Sequence, residues 1–62
     1  MSDYAAFQRA MASRGFLASV LTEREFNRLS RIGLDQCQIE GVAMDVNGGF
    51  GIAESLRAMR DS

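Results

Sequence analysis

The chain has 62 residues, seven basic against eight acidic, for a net charge of −1, and no histidine or proline. A chain of this length buries only roughly 60% of the surface its unfolded form exposes, so residues 1–62 make one small domain with little stability to spare for an elaborate site. Its 47% hydrophobic and 24% charged residues are those of a compact globular protein rather than a disordered segment. One cysteine, Cys37, rules out an internal disulfide framework, and the lack of histidine removes the commonest neutral metal ligand and the usual general base. The expectation is a non-enzymatic protein without cofactor or metal.

The first residues, MSDYAAFQ, have no basic n-region, and no window approaches the roughly 18 apolar residues of a membrane span. The chain reads as cytoplasmic, with no membrane contact. A first helix is expected over about residues 3–14, opening at Ser2 or Asp3, with Tyr4, Phe7, Ala10 and Met11 on one apolar stripe. Gly15 stands where a left-handed C-terminal residue is wanted, after Arg14, whose charge suits a helix C-terminus. Residues 16–21, FLASVL, are too brief to settle between a single helical turn and an extended connection.

Thr22 and Glu25 form a capping-box pattern that opens a second helix, about 23–32. Phe26, Leu29 and Ile32 recur every three residues and are expected to face inward, with Arg24, Arg28 and Arg31 opposite as a basic stripe. Gly33 ends that helix. Asp35 and Gln38 repeat the cap pattern and open a third, about 36–46, whose Ile39, Val42, Ala43 and Val46 give the strongest amphipathic signal in the chain. Cys37, in the first turn, is expected to be a half-buried, inert thiol. Asn47, Gly48 and Gly49 then read as a helix end and corner. From about 50 to 60 the period resumes with Ile52, Leu56 and Met59, beside Ala53, while Arg57 and Arg60 lie near the C-terminal end. No alternating pattern of useful length suggests a strand. The expected fold is all-α, a compact bundle of three to four short helices.

The glycine corner, NGGFG, carries no recognisable chemistry. It lacks the G-x-G-x-x-G spacing and the preceding strand of a dinucleotide site, and no Lys-Ser/Thr pair follows to make a Walker loop. A double-glycine leader ending at Gly49 would release residues 50–62 and with them the stripe that completes the core. Gly33-Leu34-Asp35-Gln36-Cys37 with Phe50-Gly51-Ile52 resembles the acyl carrier protein pattern, but Gln36 stands where the phosphopantetheine-bearing serine belongs. Residues 26–58 resemble the ubiquitin-associated (UBA) domain: Ile32-Gly33-Leu34 as the loop, Val42-Ala43 in the second helix, Asn47-Gly48-Gly49 as the turn, Ala53 and Leu56 in the third. That resemblance implies a three-helix module binding an apolar patch of ubiquitin through Ile32, Gly33, Leu34 and Leu56, although Arg57 replaces a terminal apolar residue.

By elimination, the sequence reads as a small helical module that binds another protein, as an adaptor, inhibitor or regulator of phage or mobile-element type. Phe16, Leu17, Leu21, Leu34, Met44 and Phe50 exceed what so small a core is expected to hide. The candidate partner-binding residues are Ile32, Gly33, Leu34, Met44, Phe50 and Leu56, and homodimerisation through the same surface is a corollary. Met11, Met44 and Met59 read as core fillers, with Met44 off the Ile39 stripe. The alternative is a helix-turn-helix-like DNA-binding regulator over residues 36–60, with Arg57 and Arg60, and the Arg24, Arg28, Arg31 stripe, as basic contacts.

Overall fold

The computed structural model describes residues 3–17 and 20–61. These form four helices: α1 (Asp3–Ser13), α2 (Glu23–Arg31), α3 (Gln36–Asn47) and α4 (Ile52–Asp61). Among the described residues there is no strand, and the architecture is the expected all-α bundle. Of the FLASVL connection, residues 16–17 and 20–21 are non-helical, while Ala18 and Ser19, like Ser2 at the expected start of α1, lie outside the described residues.

Both capping boxes form. The Thr22 hydroxyl accepts from the Glu25 amide at 3.2 Å, and the Glu25 carboxylate accepts from the Thr22 amide at 2.9 Å. Asp35 and Gln38 repeat the exchange at 2.9 and 3.0 Å. Each cap is preceded by a leucine, Leu21 or Leu34, and followed four residues later by a core residue, Phe26 or Ile39. That is the arrangement of a hydrophobic staple, which fixes the angle at which the chain enters the helix.

The three corners that end α1, α2 and α3 are built alike. At each, a glycine takes a positive φ: Gly15 (84°), Gly33 (103°) and Gly49 (104°). Its amide, and that of the next residue, reach back to the last helical carbonyls: Gly15 to Ala12 and Phe16 to Met11, Gly33 to Ser30 and Leu34 to Leu29, Gly49 to Val46 and Phe50 to Asp45. These are Schellman motifs, whose residue after the glycine commonly packs on the carbonyl-bearing residue it bonds. Phe16 returns to Met11 and Leu34 to Leu29, and both half-bury against the core. Phe50 returns to Asp45, which offers no apolar surface, and stays 56% exposed.

Phe7 and Met11 of α1, Leu21 just before α2, Phe26 and Leu29 of α2, and Ile39, Val42 and Ala43 of α3 make the buried core. Phe26 meets Phe7 at 5.2 Å and Tyr4 at 5.6 Å between ring centroids. The Tyr4 hydroxyl donates to the Leu21 carbonyl at 2.7 Å, tying α1 to the entry of α2. Val46, Ile52, Leu56, Met44 and Met59 are half-buried against this cluster. α1, α2 and α3 pack pairwise, whereas α4 packs on α3 alone.

Three expectations are corrected. Ile32 does not face inward: it is 60% exposed, because α2 ends at Arg31 and the helical period stops with it. Leu21 is not surplus apolar surface but fully buried, held there by its staple position. Cys37 is exposed rather than half-buried, since it lies two residues, more than half a turn, from the inward-facing Ile39.

Candidate interaction surface

α2 and α4 both lean on α3 without packing on each other, which leaves a groove between them. Its centre is a cavity of about 300 Å³ lined by Glu25 and Arg28 of α2 and Ile52, Ala53 and Leu56 of α4. On one side it shares Arg28 with a cavity of about 310 Å³ bounded by Arg24, Asn27 and Arg31. On the other it shares Ala53 and Leu56 with a cavity of about 270 Å³ bounded by Arg57 and Arg60. Through these shared residues the three adjoin, with an apolar floor supplied by Ile52, Ala53 and Leu56 of α4 and arginines on both helices.

Five of the chain's seven arginines line this groove, against one carboxylate, Glu25. The Glu25 carboxylate is engaged by the cap, accepting from the Thr22 amide and hydroxyl. Among the described residues none of the five arginines is in an ion pair; the pair present is Arg14–Glu40, at 3.4 Å, between the end of α1 and α3. The other seven carboxylates line none of the three groove cavities. The chain is therefore polarised, a cationic groove on an otherwise acidic body, although its net charge is only −1.

A separate cavity of about 260 Å³ is lined by Asp45, Phe50, Glu54, Ser55 and Ala58. There the buried Ser55 hydroxyl donates to the Asp45 carboxylate at 2.6 Å and pins α4 to α3. This cavity is acidic where the groove is basic, and they share no lining residue.

Of the residues singled out from sequence, Leu56, Arg24, Arg28, Arg31, Arg57 and Arg60 come together in the groove. Ile32, Gly33 and Leu34 form the α2–α3 corner, Met44 lies half-buried on α3, and none of them lines these four cavities. Phe50 stands on the acidic side. Sequence reasoning missed Asn27 and Glu25 as groove residues, and missed the buried polar pair Glu40 and Ser55. Glu40 is satisfied by Arg14 and by the Gln36 side-chain amide at 3.4 Å.

Among the described residues no group of Cys, Asp and Glu is placed to hold a metal ion, and no helix is long and apolar enough to cross a membrane. Comparison with protein families, curated proteins and solved structures returns no match.

Proposed function

We propose that the protein is a non-enzymatic interaction module, an adaptor, inhibitor or regulator, whose working surface is the groove between α2 and α4. The observation that carries this reading is the convergence on one apolar floor of five arginines from two helices, none of them in an ion pair among the described residues. Like charges gathered this way repel one another, a cost that an anionic occupant relieves. Apolar floor with a polar rim is also the anatomy of a binding patch. The same arginines favour a second reading, a nucleic-acid-binding regulator, which predicts binding that weakens steeply with salt.

The test is affinity capture from the native host on wild-type chain, Ala53→Glu and Phe50→Ser, followed by mass spectrometry. Ala53 is exposed, so a glutamate there fills and charges the groove without entering the core. Proteins held by wild type and Phe50→Ser but lost from Ala53→Glu are the expected result. Partners lost from Phe50→Ser alone would move the working surface to the acidic cavity. Recovery of ubiquitin, or of the chain itself, would identify the UBA-type or self-associating partner anticipated from sequence.

A further inference from the structure

We infer that the groove receives an acidic amphipathic helix of the partner protein; the inference rests on the α2–α4 surface being the working one. The shape comes first. α2 has nine residues and α4 ten, so the walls are about 14–15 Å long at 1.5 Å per residue, and a helix of about three turns fills the groove lengthwise. Ala53 sits between Ile52 and Leu56 on the floor, and its small side chain leaves room for a second helix to lie close. Apolar residues at i, i+3 or i+4, and i+7 of an incoming helix would meet this floor, the usual way a groove reads a helix.

The charge then selects the sign. Arg24, Arg28 and Arg31 recur along one wall at i, i+4 and i+7, and Arg57 and Arg60 stand on the other, so flanking residues of the occupant meet cations on both sides. Guanidinium groups suit carboxylates because their planar donor fork binds both oxygens at once. The rest of the chain carries seven carboxylates against Arg9 and Arg14, so an acidic helix is favoured at the groove over the rest of the surface. A nucleic-acid backbone would be repelled by that same acidic body, and its phosphates would have no use for the apolar floor of Ile52, Ala53 and Leu56. The floor therefore decides for a peptide.

A displayed library of random peptides of about 16 residues, long enough for four helical turns, is selected on the full chain, and enriched sequences are synthesised. The expected peptides carry Asp and Glu flanking apolar residues at helical spacing. Their affinity should fall about tenfold or more, at least about 1.4 kcal/mol, with Arg28→Glu and with Arg57→Glu. It should be unchanged with Arg9→Glu, which lies on the exposed side of α1. Circular dichroism matching wild type shows that each exposed substitution leaves the fold intact. Peptides that lose binding with Ala53→Glu yet carry no acidic residues would overturn the inferred partner while leaving the groove in place. Peptides that depend on Phe50 and ignore Ala53→Glu would overturn the groove reading as well. No enrichment, or tighter binding of a short DNA duplex or an oligouridylate that the same arginine reversals abolish, would also overturn the inference.

Discussion

The first three helices and the fourth are held by different means. α1, α2 and α3 share Phe7, Met11, Leu21, Phe26, Leu29, Ile39, Val42 and Ala43, pack pairwise, and enter or leave one another through capping boxes and staples. α4 adds no fully buried apolar side chain, leans on α3 alone, and is fixed by half-buried Ile52, Leu56 and Met59 and by one buried hydroxyl, Ser55. In a chain this short, stability concentrates where apolar burial is complete, and segments with fewer buried contacts open at lower free energy. One wall of the groove, α2, therefore belongs to the fully buried core, and the other, α4, is held by half-buried contacts.

Stability should fall furthest when the fully buried core itself is cut. Phe26→Ala removes a ring that meets Phe7 and Tyr4 and should cost about 3–5 kcal/mol. That rivals the whole stability of a small domain, so the variant should show no cooperative thermal transition by circular dichroism. Ser55→Ala should act on the other side, costing about 1–2 kcal/mol through the lost bond to the Asp45 carboxylate. Native-state hydrogen exchange should then show weaker protection in α4 and unchanged protection in α1 to α3; uniform loss would mean that α4 is part of the same cooperative unit.

Gly49→Ala sharpens the contrast at about 1–2 kcal/mol, since an L-residue at φ 104° is strained. Its effect should stay with α4, whereas Gly33→Ala, at an equally strained φ of 103° between two core helices, should lower protection throughout. Smallest of all, Arg28→Glu should change stability by no more than about 0.5 kcal/mol, because the side chain is exposed and unpaired. Thermal melts of that variant should lie within about 4 °C of wild type even where its binding is lost.

The helices themselves were legible because the chain punctuates them: Thr22 and Asp35 open, Gly15, Gly33 and Gly49 close, and the apolar stripes between have helical period. The buried positions of Leu21 and Leu34's approach to the core had a readable signal too, the residue before each cap, which the excess-apolar reading passed over. Ile32 was misplaced for the opposite reason, a three-residue recurrence carried one step beyond the helix end. Phe50 shows the limit of local pattern: its corner repeats those of Phe16 and Leu34, and only the polar Asp45 beneath it leaves the ring outside.

The groove was half legible. Each arginine set, Arg24, Arg28, Arg31 and Arg57, Arg60, could be seen on its own helix. That they share one surface with Leu56 depends on the angle at which α2 and α4 both lie on α3, a tertiary fact with no local signature.

Amide chemical-shift mapping of the full chain with the tightest selected peptide tests the location of the working surface most directly. Perturbations centred on Arg28, Ala53, Leu56 and Arg57 are the predicted result. A pattern centred on Phe50, or on Ile32 and Gly33, with the groove amides unmoved, would contradict it.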